Sequence, residues 1–543
     1  MAPSRSNEGM APIELDDPAP STEMLAAWSE HMASPVVDVA ALRRDLTSGP
    51  TLHDAFSATA RRYATSKALT LGDITLTHGE VEEESERAAG LLTAWGIGPG
   101  TRVALLADTR MSVVTAYLGA LRAGAIVTFV NPTYTSAEIA RVLDLSGTHA
   151  ALGTGDTLGG LVAASPDCSV IGLEAGDRNR VPDVLEAREP TPIANGASNE
   201  STAVLALTSG TTGDPKLVPL SHRNLLASIR GVIWAWRWRS DDLLIHCLPI
   251  AHQHGLGAVH IALLTGSHAL ILSGFDPDGL ITAMRRTEAT AFFAVPAIYE
   301  RLLAEAPKQM SALGALRVMT SGSAALPPEL AFRIEEATGQ LPVERYGLTE
   351  TGLGVSNPIE GPRIPGTVGL ALPGIELALV DDGMAVLGPG EAGEVVFRGP
   401  QVFGGYAGDV SGESFIEDWF RTGDIGVIDE ESGHLRLVGR SKEVIITGGM
   451  NVYPREVESA LLGVPGVVDA AVIGVPSGRW GEAVTAFVVT SGVSTDQVSD
   501  AVRSRLAPFK RPKQVISVDS IPRTELGKLR RDVLASWPSI DRL

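Results

Sequence analysis

Short runs of consecutive apolar residues recur along the chain, bounded by turn residues and separated by stretches of helical period. Such runs mark strands buried on both faces, as in parallel sheets covered by helices. Residues 103–107 and 126–130 predict two strands, and 113–123 a helix between them. That βαβ rhythm implies a parallel, doubly covered sheet. Upstream, Thr51 can cap a helix whose apolar positions include Leu52, Phe56 and Ala60. Downstream, strands are predicted at 204–207, 243–248, 269–272, 291–295, 316–319 and 343–346, with helices such as 296–304 and 328–337 between them.

Beyond about residue 366 the texture changes to short alternating strands, 375–380 and 393–398 among them, which predicts a smaller β-rich unit. The last hundred or so residues mix a helix at 456–462 with strands at 470–475 and 485–489, a separate α+β domain. Residues 1–47 are rich in Pro, Ser and acids and are expected to form a flexible leader, with a short helix near 24–32.

Composition narrows the picture. A chain of 543 residues needs more than one domain, and 44% hydrophobic with 20% charged residues describes an ordinary globular protein. The net charge of −20 argues against a general nucleic-acid binder. It also requires any phosphate to find locally basic ground. The two cysteines, Cys168 and Cys247, have no metal-ligand spacing and suit a reducing compartment. The amino terminus lacks the basic and apolar regions of a secretory signal, and the apolar stretch 103–130 is broken by Asp108, Arg110 and Arg122. A cytoplasmic protein without a membrane span is expected.

The strongest chemical signal is Thr208-Ser209-Gly210-Thr211-Thr212-Gly213-Asp214-Pro215-Lys216, directly after the 204–207 strand. Its glycines, hydroxyls and lysine suit a loop that wraps polyphosphate oxygens. It is not a Walker A loop, because Pro215 and Leu217 flank the lysine. The segment Gly153-Thr-Gly155-Asp-Thr-Leu-Gly159 has its third glycine one place late for a dinucleotide fingerprint and is read as a loop. Further motifs follow predicted strand ends, where α/β folds place ligands. They are Pro249-Ile-Ala-His252-Gln-His254-Gly255, Ser321-Gly322-Ser323-Ala324-Ala325 and Tyr346-Gly347-Leu348-Thr349-Glu350-Thr351. Arg421-Thr422-Gly423-Asp424, Gly439-Arg440-Ser441-Lys442-Glu443 and Pro522-Arg523-Thr524-Glu525-Leu526-Gly527-Lys528 complete the series.

Seven motifs in this order resemble the adenylate-forming superfamily of acyl-CoA synthetases, nonribosomal adenylation domains and luciferases, over about residues 50–535. The resemblance implies an α/β protein. Its large N-terminal region, 48–441, holds two βα-layered subdomains and a small β-barrel-like subdomain, and a small mobile α+β domain, 442–543, turns about a hinge near Lys442. It also implies two steps: a carboxylate displaces pyrophosphate from ATP, and a thiol then displaces AMP from the acyl-AMP. Thr208, Ser209, Gly210, Thr211, Thr212, Gly213 and Lys216 would hold the phosphates. Glu350 would hold Mg²⁺, with Thr349 at the α-phosphate. Tyr346 would offer a ring to the adenine, Ser323, Ala324 and Gly347 would belong to the same cofactor site, Asp424 would take the ribose hydroxyls, and Arg440 would assist at the ribose or phosphate. Lys528 would bridge the acyl carboxylate and ribose during adenylation, and Gly449 would let pantetheine pass the backbone. The basic residues of 503–531 are a candidate ground for ATP and CoA phosphates, or else an ordinary solvated face.

Several stretches, including Val295-Pro-Ala-Ile-Tyr299-Glu-Arg301-Leu and Glu344-Arg345-Tyr346-Gly347, look like the malonyl-CoA synthetase branch. There the arginine matching Arg301 reads the second carboxylate; the alternative is a surface pair with Glu300 or Glu305. His252, His254, Ser321, Gly322 and Leu353 complete the expected acid pocket. Departures weaken that assignment and leave larger acids open. Gly352-Leu353-Gly354 and Ala251 suggest a roomier pocket, and Trp234-Ala-Trp236-Arg-Trp238 adds either aromatic bulk to its wall or ordinary packing. Leu217 and Ile446 replace a glycine and a lysine common in relatives and leave open an enzyme specialised for one half-reaction. The expected function is an ATP-dependent acyl-CoA ligase using Mg²⁺ and CoA, for a malonate-like acid. The alternatives are a larger hydrophobic or polycyclic acid, or acyl transfer to a freestanding carrier protein.

Overall fold

The computed structural model describes residues 49–106, 108–155, 157–164, 168–174, 185–193, 196–209, 215–408, 414–448, 450–524 and 529–537. A six-stranded sheet runs in the order Ser169–Gly172, Ala150–Gly153, Arg102–Leu106, Ile126–Val130, Thr202–Ser209, Pro215–Ser221. Its strands are parallel except the last, which pairs antiparallel with Thr202–Ser209. The expected βαβ unit is present, with Met111–Arg122 as its crossover helix. The segment expected as a loop at 153–159 is instead a strand end followed by the helix Thr157–Ala164.

A nine-stranded sheet runs Leu370–Ala371, Gly352–Ser356, Val343–Leu348, Val318–Ser321, Ala291–Ala294, Leu243–His246, His268–Ile271, Lys67–Leu71, Ile74–Thr77. The six strands from Val343–Leu348 to Lys67–Leu71 are parallel. Because parallel strands share a direction, the histidine, Ser-Gly-Ser and Tyr-Gly motifs emerge at one edge. This is where an open α/β sheet binds ligands.

Helices join the two sheets. Thr51 caps the helix Leu52–Arg62 through its hydroxyl, as the sequence predicts. Tyr117 on Met111–Arg122 is 2.9 Å from His260 Nε2 on Gln253–Thr265, and both residues are 1% exposed. The antiparallel strands Glu376–Val380, Ala392–Arg398, Phe415–Ile416, Trp419–Ile428 and Leu435–Arg440 form a third sheet. Phe397, Phe403 and Phe420 belong to the same apolar core as the two large sheets, so the third sheet is fused to them.

The C-terminal strands Met450–Val452, Ile445–Thr447, Gly481–Thr490 and Val467–Ser477, with Gln514–Ser517 parallel beside Gly481–Thr490, build a fourth sheet. It has a core of its own, with Val457, Leu461, Val472, Val484 and Val498 at 0% exposure. Among the described residues no helix is long and apolar enough to cross a membrane.

Candidate active site

The phosphate loop joins two antiparallel strands, with Thr208 opposite Lys216 and Ser209 opposite Pro215. Ser221 then caps the next helix, His222–Ala235, in a reciprocal box with Asn224, which fixes the exit of the hairpin. Gly210, Thr211, Thr212 and Gly213 lie outside the described residues. The Lys216 ammonium sits 4.5 Å over the ring of Tyr406. The Tyr406 hydroxyl donates to Glu350 Oε1 at 2.8 Å, and the Phe403 amide donates to the Glu350 carbonyl at 2.8 Å. Glu350 is 7% exposed. A cation, an aromatic hydroxyl and a carboxylate from three distant parts of the sequence thus form one chain. Thr349 is half-buried beside it in the turn after Val343–Leu348.

Asp424 lies directly across the ladder from Arg440. Its Oδ1 accepts from Arg440 Nε at 3.0 Å and its Oδ2 from the Tyr346 hydroxyl at 2.7 Å, leaving it 3% exposed. Burial and the Asp424 charge push the Tyr346 phenol well up, so it stays a donor. The Asp424 carboxylate on the third sheet and the Tyr406 hydroxyl, in the connection after Ala392–Arg398, therefore meet the strand end of Val343–Leu348. Tyr346 sits with its ring 5.9 Å from that of Phe397. Gly347 is required by close approach: a Cβ there would lie 2.1 Å from the Gly352 carbonyl oxygen.

On the acid side, His254 is in the first turn of Gln253–Thr265, with His252 at its cap. His254 Nδ1 is 3.1 Å from Ser323 Oγ, while its Nε2 is buried with no described partner. Burial, with the nearby Arg345 charge, holds its imidazole well below the usual range, so it is neutral. Ser323 is held at φ 66, a left-handed conformation unusual for a non-glycine residue and of a kind that gathers at functional sites. Ser321 is fully buried with its hydroxyl unpartnered, Gly322 is buried beside it, and Ala324 is half-buried next to Ser323.

Three stretches raised for the acid pocket make other contacts. Arg301 makes the surface pair that is its alternative reading: it forms a two-toothed pair with Glu305, at 2.8 and 3.2 Å, and stacks 4.6 Å from the centre of Phe275, its side chain half exposed. The i,i+4 spacing on one helix face makes that pair available without any ligand. Gly352 and Gly354 do not enlarge the pocket. A Cβ at Gly352 would meet Ser228 Oγ at 2.2 Å, and one at Gly354 the Phe397 ring at 3.1 Å, so neighbours already fill that space. Leu353 between them is half-buried and donates its amide to Ser228 Oγ at 3.2 Å. Trp236 and Trp238 are core residues, bonded through their indole nitrogens to Ser356 and Ser267 and packed edge-on against Phe293.

Lys442 lies exposed in the single turn Ser441–Glu443 between the third and fourth sheets. Lys528 and Gly449 lie outside the described residues. Flanking Lys528, Arg523 and Leu529 bridge each other, and Arg531 pairs with Glu443 at 3.1 Å and Glu458 at 2.6 Å. Much of the basic C-terminal stretch is locally neutralised: Lys510 by Glu456, Arg523 by Asp469 and Arg530 by Asp532.

Sequence reasoning missed Tyr406 and named Arg345 only as part of a motif. A Gly404-Gly405-Tyr406 turn gave no chemical signal, whereas the adjacent charges Glu344 and Arg345 inside a strand could have drawn attention to Arg345.

The donor set fits a magnesium polyphosphate. Among the described residues no group of three or more His, Cys, Asp or Glu could cage a metal. The single carboxylate of Glu350 beside a lysine matches the way Mg²⁺ is shared between few carboxylates and phosphate oxygens.

The family model "AMP-binding enzyme" matches residues 56–407, and "AMP-binding enzyme C-terminal domain" matches 456–528. A probable CoA ligase, CCL9, of Humulus lupulus is 34% identical over 491 residues, covering 86% of this chain and 92% of the relative. A long-chain-fatty-acid–CoA ligase of Escherichia coli O157:H7 is 34% identical over 526 residues, covering 88% and 93%. The crystal structure of ATP-bound MatB from Rhodopseudomonas palustris superposes with a TM-score of 0.83 at 34% identity, covering 89% of this chain and 98% of that one. The chain therefore belongs to the AMP-binding enzyme family, as an acid–thiol ligase of the acyl-CoA synthetase type that works with ATP, Mg²⁺ and CoA.

Proposed function

We propose that this ligase activates a small, malonate-like carboxylic acid as its acyl-AMP and passes the acyl group to CoA, with residues 48–441 and 442–543 reorienting about Lys442 between the steps. ATP bound with Mg²⁺ supplies the phosphorus that the acid attacks and the pyrophosphate that leaves. The chain's task is to hold two anions together until they react, which calls for fixed donors and cations. Lys216, with Thr208, Ser209 and the 210–213 loop, would neutralise the leaving group. Glu350 would hold the metal, oriented by Tyr406, and Thr349 would donate to the α-phosphate. Asp424 would accept the ribose hydroxyls between Tyr346 and Arg440, while Ser323, Ala324 and Gly347 shape the adenine slot. Lys528 would reach the forming acyl phosphate. The Arg531 pairs with Glu443 and Glu458 tie the chain just after Lys528 to the residue after the hinge, so the two would move together.

The observation that carries the small-acid reading is the filling of the pocket wall by Ser228 and Phe397 at the glycines that suggested room. With Trp236 and Trp238 committed to the core, little remains to favour a bulky acid. Pyrophosphate release and thioester formation should be measured over a panel of two- to five-carbon acids, aromatic acids and long-chain acids. The expected outcome is the highest kcat/KM among the short acids, with CoA preferred over a holo-carrier protein as acceptor. A long-chain or polycyclic acid outperforming every short acid would sink this reading.

A further inference from the structure

The strand Val343–Leu348 carries one cation, Arg345, whose guanidinium lies against Gly322. A Cβ at Gly322 would sit 2.6 Å from Arg345 Nε and 2.7 Å from Cζ. The absence of a side chain at Gly322 is therefore what gives the guanidinium its place. Arg345 has no hydrogen-bond or ion-pair partner among the described residues, and burial is what lowers its pKa, to about 10. It remains charged at neutral pH. It is also half-accessible, as a side chain on a cleft wall would be.

The strand register shows what surrounds it. His246 pairs with Phe293, Phe293 with Thr320 and Thr320 with Val343, so these residues share a face, and Gly322 and Arg345 are the next positions on it. His246 and Thr320 are fully buried, and His246 Nε2 and Thr320 Oγ1 have no described partner. His254, whose ring lies 5.9 Å from that of Phe293, adds a third orphan at Nε2. Among the described residues, one face thus holds an unpaired guanidinium and three unpaired neutral groups, with no carboxylate paired to them. Packing a hydrocarbon tail here would leave every one of them unsatisfied, at a cost of order a kcal/mol or more each. A second anion on the substrate would satisfy the guanidinium with its preferred forked geometry.

We infer that Arg345, and not Arg301, is the specificity-determining residue that holds the second carboxylate of a short dicarboxylic acid. This rests on the reading of the chain as a small-acid ligase. It makes the pocket selective for charge as well as for size.

The test compares malonate with propionate, and succinate with butyrate, in the wild type and in Arg345→Gln, Arg345→Lys and Arg301→Gln. Wild type should favour each diacid over its monoacid. Arg345→Gln should lower that ratio about 100-fold, chiefly through the diacid KM, as expected when a buried charge loses its partner. Arg345→Lys should recover part of the ratio, Arg301→Gln should leave it unchanged, and the KM for ATP should stay within about twofold throughout. Gly322→Ala supplies an independent variant, since its methyl group would push the guanidinium aside and lower the ratio in the same direction; it decides the matter if Arg345→Gln does not fold. A wild-type preference for monoacids, or a ratio unmoved by Arg345→Gln and Gly322→Ala, overturns the inference. No pyrophosphate release with any acid would instead overturn the ligase reading beneath it.

Discussion

Glu350 and Lys216 come from different sheets, and Tyr406 is the residue that links them. Its ring faces the ammonium while its hydroxyl fixes one carboxylate oxygen, so one side chain holds both charges in place. That keeps both available for a metal–phosphate group. Tyr406→Phe retains the ring and removes the donor. One hydrogen bond to a charged group is worth about 1.5–3 kcal/mol. Pyrophosphate release should therefore fall roughly tenfold or more, and the Mg²⁺ concentration for half-maximal rate should rise. Thermal stability should change little, because the hydroxyl lies at a half-exposed position. A magnesium titration identical to that of wild type would exclude this role. The role could not be seen in the sequence, because Tyr406 acts through partners 56 and 190 residues away and its local signal is only a turn.

At the level of elements, the two strands around the phosphate loop decide the meaning of Leu217. From sequence it looks like a stiffening replacement for a glycine next to the lysine. In the fold it is a strand residue opposite Leu207, 8% exposed, and its carbonyl accepts from the Ala407 amide at 3.0 Å. Leu217→Gly should cost about 2–4 kcal/mol, combining lost burial with the entropy of a strand glycine. It should not speed adenylation. Chemical denaturation together with pyrophosphate release per folded molecule checks both halves; an equally stable, faster variant would restore the stiffening view. The strand positions themselves were legible, because buried parallel strands are written as continuous apolar runs: 126–130 matches Ile126–Val130, and 291–295 matches Ala291–Ala294 to one residue. The antiparallel partner Pro215–Ser221 was not legible. Its two prolines, Pro215 and Pro219, argue against a strand until its edge position in the sheet is known. For the candidate site, motif order located the strand ends well. Which side chains turn inward depended on packing, as the outward Arg301 and the inward Arg345 show.

For the whole molecule, the buried ionisable groups set a pH dependence that composition cannot reveal. His246 and His260 are pushed down to about 3 and His222 to about 4, chiefly by burial, and all three are at most 1% exposed. A buried neutral histidine contributes stability that is complete above the unfolded pKa near 6.5 and is lost as pH falls towards the folded value. Glu344 has the opposite sign. Burial raises its carboxyl to about 8 despite a hydrogen bond from the Leu326 amide, so its contribution is present below about 4.5 and lost as pH rises through about 8. Between pH 6.5 and 5.5 each histidine goes from half to almost fully protonated in the unfolded chain, so the three together cost about 3 kcal/mol, and Glu344 returns about 1 kcal/mol. The histidines win, with a net loss of about 2 kcal/mol against a total stability of about 5–15 kcal/mol. Denaturant midpoints should therefore fall steeply over that unit of pH. Glu344→Gln, whose amide oxygen can still accept from Leu326, should raise the midpoint at pH 8 and lose its advantage towards pH 5. A midpoint that stays flat from pH 6.5 to 5.5 would show that the buried histidines take up no extra protons on unfolding, and a Glu344→Gln variant weaker than wild type at pH 8 would show that the carboxylate is held charged in the fold.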